Sequence, residues 1–205
     1  MKSVHYSSIF DNEQACLSAI LSLHNNGNDI ELDPMYYRGG FYKDGVNRPA
    51  LIYDITPRVE YCPAGNAERL TEVPDTSIKC MILDPLFLFG IHGKTEKYYV
   101  SSTMGILPDF TELERHYRAI LREAYRVLIK NGVLIFKCQD YTDSKTTMTH
   151  CLVYNWATEC GFYAKDIAIY VKSNKIYNHN LTQRHFRKVH TYFWVFIKKQ
   201  REVKK

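Results

Sequence analysis

The sequence lacks the features that mark membrane-spanning, secreted and repetitive proteins. No uninterrupted apolar stretch in the 205 residues approaches the roughly 20 residues of a membrane span. The first residues, MKSVHYSSIFDNEQ, have no apolar segment of the kind found in secretory signals. No internal repeat or low-complexity linker divides the chain. We therefore expect one soluble, cytoplasmic domain over residues 1–205.

Cysteine is present, but without the spacing of a metal site. The six cysteines stand at positions 16, 62, 80, 138, 151 and 160, and no two of them form a C-x-x-C pair. Most lie in apolar segments, which favours reduced and buried thiols. His185 and His190 have no cysteine pair near them in sequence, so we expect no zinc and no other metal.

Positive charge is concentrated in two segments. The net charge is +5, and both QRHFRKVH (183–190) and KKQREVKK (198–205) are rich in lysine and arginine. Such segments suit a polyanion. For the first segment the alternative is an ordinary solvated surface, and for 198–205 we expect a flexible basic tail.

Apolar periodicity predicts strands that alternate with helices. Helices are predicted over 9–24 with Asp11 as the cap, over 110–129 with residues 130–132 as the C-cap, and over 149–160 closed by Gly161. Strands are predicted over 29–32, 50–53, 78–83, 133–138, 167–171 and 192–197. Alternation implies a mostly parallel sheet with right-handed crossovers. Two closing strands with no helix between them indicate an antiparallel edge strand.

Polar side chains follow several of these strands. They are Asp33, Asp54, Asp84, Gln139 and Asp140, with Asn66 before a helical turn. Because the carboxyl ends of parallel strands line one crevice, we expect these groups to surround a ligand. Asp54 is placed to accept hydrogen bonds from ribose hydroxyls or, alternatively, to cap a turn.

Two stretches carry a resemblance to a known family. Asp84-Pro85-Leu86-Phe87 resembles the D-P-P-[YFW] motif IV of DNA amino-methyltransferases that act on adenine N6 or cytosine N4, with Leu86 in place of the second proline. Asp33-Pro34 with Gly39-Gly40 resembles a variant of motif I. The order of elements over roughly 10–198 is similar to that of class I S-adenosylmethionine-dependent methyltransferases. QRHFRKVH resembles a stretch in short methyltransferase-like proteins of phages and mobile elements.

The resemblance implies a fold, a cofactor and roles for particular residues. The fold is a Rossmann-like class I methyltransferase fold, an α/β arrangement with a mostly parallel seven-stranded sheet, an antiparallel edge strand and helices on both faces. The cofactor is S-adenosyl-L-methionine. Its methionine end is assigned to Asp33, Pro34, Tyr36, Gly39 and Gly40, its ribose to Asp54 and its adenine to Asn66, and the catalytic residues are Asp84, Pro85 and Phe87.

The basic segment and a long loop supply candidates for nucleic-acid contact. Arg184, His185, Arg187 and Lys188 would meet phosphates, and Lys94 and Lys97 lie in the loop 88–108. The resemblance favours DNA over RNA, and adenine N6 over cytosine N4, because Asp84 opens the motif where cytosine enzymes more often have Ser. The alternatives are a methyltransferase acting on RNA, a protein amide or a small molecule, and a non-catalytic binding protein on the same scaffold.

Overall fold

The computed structural model describes residues 5–91, 105–142, 145–172 and 184–199. Over these ranges the elements are, in order, β1 (Ile9–Phe10), α1 (Glu13–His24), β2 (Leu32–Asp33), β3 (Leu51–Ile52), β4 (Ile78–Leu83), α2 (Phe110–Val127), β5 (Leu128–Cys138), β6 (Tyr141–Thr142), β7 (Thr146–Thr147), α3 (Thr149–Cys160), β8 (Phe162–Val171) and β9 (His190–Lys198).

One mostly parallel sheet organises the described residues. Its seven strands follow the order β1-β8-β9-β5-β4-β2-β3, while β6 pairs with β7. Neighbours from β5 through β3 are parallel, and β9 runs antiparallel to both β5 and β8. The predicted fold class is confirmed. The prediction that the antiparallel strand lies at an edge of the sheet was wrong. This strand, β9, has β5 on one side and β8 on the other, and the short β1 pairs in parallel with β8 beyond it.

Alternate residues of the central strands face two apolar layers. In β4, Met81 and Leu83 pack in a cluster with α2 and α3, whereas Cys80 and Ile82 pack in a cluster with α1. The same alternation occurs in β5. Because both faces of the sheet are covered, its strands are nearly continuous in apolar residues. This is why 78–83 could be recognised as a strand from its composition.

Helix α2 forms where the prediction placed it but ends earlier. Its N-cap Asp109 accepts a 2.8 Å hydrogen bond from the backbone nitrogen of Glu112, and its apolar face is fully buried. The backbone becomes extended at Leu128 (φ −67°, ψ 141°). Residues 130–132, predicted as the C-cap, therefore lie inside β5, where Asn131 takes a left-handed turn at φ 62°.

The structure corrects the predicted start and cap of α1 and confirms the predicted end of α3. The predicted start of α1 at residue 9 was wrong, because Ile9 pairs with Ile169 of β8. The cap is Asn12, whose Oδ1 accepts a hydrogen bond from the Ala15 nitrogen at 2.8 Å, and not Asp11. The end of α3 at Gly161 is confirmed, with this residue in the left-handed region at φ 111°.

The chain remains packed at the start of the predicted basic tail. Lys198 is the last residue of β9, and its Nζ donates a 2.6 Å hydrogen bond to the carbonyl of Leu128. The hydroxyl of Tyr125 donates to the carbonyl of Lys199 at 2.7 Å. Residues 200–205 lie outside the described residues. Across the described ranges, no helix has the length and apolar character needed to span a bilayer.

Candidate active site at the carboxyl end of the sheet

Strands β2, β3 and β4 end side by side next to two adjoining cavities. The first, here the Asp54 cavity, has a volume of about 260 Å³. The second, here the Lys137 cavity, has a volume of about 190 Å³. Met35 and Asp84 line both. Predicted site residues line the Asp54 cavity at Pro34, Asp54, Asn66, Asp84 and Pro85, and the Lys137 cavity at Tyr36, Gly40 and Asp84.

Backbone hydrogen bonds fix the two polar residues predicted to hold an adenosyl group. Asp54 is 2% exposed, and its two oxygens accept hydrogen bonds of 2.8 Å from the backbone nitrogens of Tyr37 and Thr56. Oδ1 of Asn66 accepts one of 2.9 Å from the Glu68 nitrogen. A carboxylate has about four acceptor positions, so Asp54 can still accept from a ligand. The structure thus brings both residues to one cavity.

Asp84 follows the last residue of β4 and lines both cavities. Its Oδ2 lies 3.1 Å from Nζ of Lys137, and one quarter of its side chain is exposed. Burial raises the pKa of Asp84, and the ammonium of Lys137 opposes that rise. Pro85 follows as a buried residue, while Phe87 is half-buried and does not line either cavity.

The predicted motif I aspartate, Asp33, lines neither cavity. Asp33 is 1% exposed, and its Oδ2 accepts a 2.6 Å hydrogen bond from the hydroxyl of Tyr42. Its Oδ1 accepts from the backbone nitrogen of Met35 at 2.9 Å. Burial raises the pKa of Asp33 to about 7, and the charges of Asp84 and Asp54 add to the rise. In this structure Asp33 therefore links two parts of the loop that follows β2, at Met35 and at Tyr42.

The two glycines of the motif I loop occupy different environments. Gly39 has φ +69°, and a Cβ there would overlap the hydroxyl oxygen of Tyr36. Gly40 lines the Lys137 cavity, and a Cβ there would meet nothing within 4 Å. The ring of Tyr36 stacks on that of Tyr42 with centroids 5.5 Å apart. Gly39 is therefore required for the packing of Tyr36, whereas Gly40 borders open space.

Two charged residues of the Lys137 cavity, Lys137 and Glu13, were not predicted from the sequence. Nζ of Lys137 lies 3.0 Å from Oε1 of Glu13 in addition to its contact with Asp84. It also lies 4.8 Å from the centroid of the Phe41 ring. A lysine near the end of the apolar stretch VLIFK was a usable signal. Glu13 gave none, because it begins a helix far away in sequence.

A second charged group at the edge of the Asp54 cavity was also missed. The carboxylate of Glu68 forms two 2.8 Å hydrogen bonds with the guanidinium of Arg115 and one of 2.6 Å with Nδ1 of His116. These bonds, that of Arg115 above all, lower the pKa of Glu68. All three residues line the cavity, so its outer wall is a fixed ion cluster.

The basic segment reaches the same edge of the sheet as Asp84. Cys138 of β5 pairs with Tyr192 of β9, and the side-chain nitrogen of Gln139 donates to the carbonyls of Lys188 (3.1 Å) and His190 (2.9 Å). These bonds hold the backbone of 188–190 against the carboxyl end of β5.

The predicted nucleic-acid residues can be located only in part. Arg184, His185 and Lys188 line an open cleft together with Phe186, whose side chain is 88% exposed. Arg187 is exposed between them. Lys94 and Lys97 lie outside the described residues. The roles of all these residues, and of the cofactor and catalytic residues, stay predictions.

Asp140, expected among the ligand-facing groups, belongs to a polar cluster instead. It is 5% exposed, and its Oδ1 lies 2.8 Å from Nδ1 of His150. The hydroxyl of Tyr192 donates to its Oδ2 at 3.4 Å, and the ring of His150 stacks on that of Tyr192 at 4.3 Å. The cluster joins β5, α3 and β9. In the described residues, no group of three or more His, Cys, Asp or Glu side chains could hold a metal ion.

Comparison with known proteins assigns a family. The family model described as DNA methylase (N6_N4_Mtase) matches residues 93–205, more than half of the chain. The match contains the elements from α2 to β9 and the basic segment, whereas Asp84 precedes it. No curated protein matches the chain.

Solved structures are similar in fold at low sequence identity. The 1,6-didemethyltoxoflavin-N1-methyltransferase of Burkholderia thailandensis is 13% identical with a TM-score of 0.54, over 93% of this chain and 80% of that one. PvuII DNA methyltransferase (cytosine-N4-specific) is 14% identical with a TM-score of 0.49, over 66% and 48%. A putative DNA modification methylase of Thermus thermophilus, solved in complex with S-adenosyl-L-methionine, is 15% identical with a TM-score of 0.45, over 66% and 52%. The matched chain spans about half the length of the last two.

Proposed function

This chain belongs to the DNA methylase family (N6_N4_Mtase), and we propose that it transfers a methyl group from S-adenosyl-L-methionine to the exocyclic amino group of a DNA base, with adenine N6 as the acceptor. The observation that carries the proposal is the position of Asp84. It ends a central parallel strand, it is followed by Pro85, and it lines both cavities. Ligands of open α/β sheets bind at this edge.

S-adenosyl-L-methionine fits the two cavities by size and by the chemistry of their walls. Their volumes of about 260 and 190 Å³ together fall within the roughly 300–1,000 Å³ of small-molecule sites. The carboxylate of Asp54 would bind the ribose hydroxyls and the amide of Asn66 the adenine, between the apolar side chains of Ile55 and Ala67. When bound, the cofactor supplies a methyl group on a positively charged sulfur.

Asp84 and Pro85 would prepare the acceptor nitrogen. The lone pair of an exocyclic amine is delocalised into the base and is a poor nucleophile. Asp84 would accept a hydrogen bond from one N–H of the amino group and the carbonyl of Pro85 a hydrogen bond from the other, which localises the lone pair on the nitrogen. The charge of Asp84 would stabilise the positive charge that develops on the nitrogen as its bond to the methyl carbon forms and the bond from that carbon to sulfur breaks, after which the surplus amino proton would leave to water. Because Leu86 takes no part in these bonds, its departure from the family motif leaves the arrangement intact.

The ionisation of Asp84 depends on its neighbour. Only the carboxylate form has all its acceptor positions free, while burial favours the protonated acid. The ammonium of Lys137, whose own pKa is raised to about 12, favours the carboxylate. Lys137 therefore supports the acceptor role without touching the base.

The basic segment would bind the DNA backbone beside the site. Arg184, His185 and Lys188 border an open cleft, at the edge of the sheet where Asp84 lies. Phe186 is exposed and available for stacking on a base. A base inside a duplex must be flipped out before its amino group can reach Asp84. Adenine N6 is preferred over cytosine N4 because Asp84 opens the motif.

Nucleoside mass spectrometry tests the proposal. The full chain is expressed in a host without DNA methylation, and its DNA and RNA are digested and examined for N6-methyladenine and N4-methylcytosine. We expect N6-methyladenine in DNA, lost with Asp84→Ala and retained with Asp11→Ala, which removes an exposed carboxylate outside the site. N4-methylcytosine would correct the base, a mark confined to RNA would correct the substrate, and no mark together with no cofactor binding would favour the non-catalytic alternative.

A further inference from the structure

Three charged groups from three separate elements meet at the wall of the Lys137 cavity. Lys137 of β5 lies 3.0 Å from Glu13 of α1 and 3.1 Å from Asp84, which directly follows β4. Their side chains are 13%, 21% and 25% exposed, respectively. All three line the same cavity. The group is thus largely withdrawn from bulk water and yet open to a ligand.

If its role were only structural, this group of three charges would add little to the stability of the fold. Withdrawing ions from water has a desolvation cost that their attraction often fails to offset. Here a single ammonium serves two carboxylates, which leaves one negative charge in excess. The ring of Phe41, with its centroid 4.8 Å from Nζ, holds the ammonium in place. A wall with a fixed cation, a fixed anion and excess negative charge fits a ligand that has both signs and a net positive charge.

We propose that Lys137 and Glu13 bind the amino-acid end of S-adenosyl-L-methionine, with Lys137 donating to its carboxylate and Glu13 accepting from its ammonium. This inference rests on the proposed function. The cofactor has a net charge of +1 at neutral pH, opposite to that of Glu13, Lys137 and Asp84 together. Ionised partners make the stronger kind of hydrogen bond.

The connection between the cavities supports this assignment. The Asp54 cavity and the Lys137 cavity share Met35 and Asp84. A ligand with its adenosyl part in the first and its amino-acid part in the second has its sulfonium at the shared wall. The sulfonium would then be a second positive neighbour of Asp84. Lys137, which has three donors, can keep its contact with Asp84 while it donates to the cofactor, and Asp84 retains acceptor positions for the amino group of the base.

The competing occupant of the Lys137 cavity is the flipped base itself. Lys137 could donate to a ring nitrogen beside the amino group, but a neutral base has no cation to pair with Glu13. The amino-acid end of the cofactor uses both charges, so the observations favour it.

The proposal is tested by binding measurements on one ligand that lacks the carboxylate and one that lacks the whole amino-acid end together with the positive charge on sulfur. Calorimetry on the full chain uses S-adenosyl-L-methionine, its decarboxylated form and 5′-methylthioadenosine, which lacks the whole amino-acid end. We expect Lys137→Met to weaken the first at least tenfold and the other two less than threefold. Glu13→Gln should weaken the first two and leave 5′-methylthioadenosine unchanged. The exposed pair of Lys79 and Glu31, 3.9 Å apart, supplies Lys79→Met and Glu31→Gln as controls without effect.

Each contrary result has a separate meaning. If the unaltered chain binds no S-adenosyl-L-methionine, the proposed function fails and the inference with it. If it binds the cofactor but Lys137→Met and Glu13→Gln do not weaken binding, the inference alone is overturned. Equal weakening of all three ligands would also overturn it, since that indicates general damage to the site. Lys137→Arg keeps the cation and should retain the preference for the carboxylate, which provides a test should Lys137→Met fail to fold.

Discussion

The hydroxyl of Tyr42 donates a 2.6 Å hydrogen bond to Oδ2 of Asp33, a carboxyl group that is 1% exposed. Asp33 accepts a second hydrogen bond, through Oδ1, from the backbone nitrogen of Met35. Neither bond offsets the loss of hydration, and the pKa of Asp33 rises from 3.8 to about 7. Between these values the folded chain keeps a proton that the unfolded chain releases, so this residue makes folding less favourable as the pH rises.

The first prediction concerns the pH dependence of stability. Asp33→Asn should remove the penalty that grows between about pH 4 and pH 7, worth up to about 4 kcal/mol at roughly 1.4 kcal/mol per pKa unit. Denaturant unfolding at several pH values measures it, with Asp44→Asn, an exposed residue of the same loop, as the control. A difference between Asp33→Asn and the unaltered chain that does not change with pH would contradict the prediction.

The second prediction contrasts the two neighbouring glycines. Gly39→Ala should lower the free energy of unfolding by about 1–3 kcal/mol, because its φ is +69° and the new Cβ would displace the Tyr36 ring. Gly40→Ala should change it by less than about 0.5 kcal/mol, the usual limit for surface substitutions, because nothing lies within 4 Å. Thermal and denaturant unfolding compare the two variants. Equal losses would show that the environments of the two glycines do not differ in this way.

The third prediction concerns the acidic limb of the pH profile of methyl transfer. If Asp84 acts as proposed, it must be ionised, and activity should fall as the pH drops through its raised pKa. Lys137→Met removes the group that opposes the rise and should move the acidic limb to higher pH. Glu13→Gln removes a charge that adds to the rise and should move it to lower pH. The pH profile of kcat at saturating cofactor measures both. Shifts in the same direction would argue against Asp84 as the titrating group.

The fourth prediction concerns DNA binding by the basic segment. Replacing Arg184 and Lys188 together by Gln should make the plot of log affinity against log salt less steep by about 1–2, since each phosphate contact contributes roughly 0.9. Arg122→Gln with Lys165→Gln removes the same charge from exposed positions on α2 and β8 and serves as the control. Equal changes in both double variants would mean that overall charge, and not the segment, governs binding.

Continuous patterns in the sequence predicted the elements that carry the site. The buried run before Asp84 and the helix ended by Gly161 could be recognised because their signals lie within a few residues of each other. The placement of Asp54, Asn66 and Asp84 at one edge followed from the parallel arrangement alone. The loop from Asp33 to Gly40 was also predicted as part of the site, from its resemblance to motif I.

Relations between distant residues could not be predicted in this way. Lys137 meets Glu13 and Asp84 only after three elements have packed, and no local pattern records that meeting. Asp33 looked like its neighbours at the strand ends, yet Tyr42 covers it. The antiparallel strand β9 was placed at the edge because it is the last strand in the chain, whereas packing inserts it between β5 and β8. The short β1, which pairs with β8, was missed because its two residues have too weak a pattern to be separated from the following helix.

The central place of β9 has a consequence for the order in which the protein can assemble on the ribosome. This strand pairs with both β5 and β8 and follows both in the chain. Until it has been synthesised, each of those strands presents an unpaired edge, which is prone to join other chains. Newly made chains that stall before residue 190 should therefore depend most on chaperones.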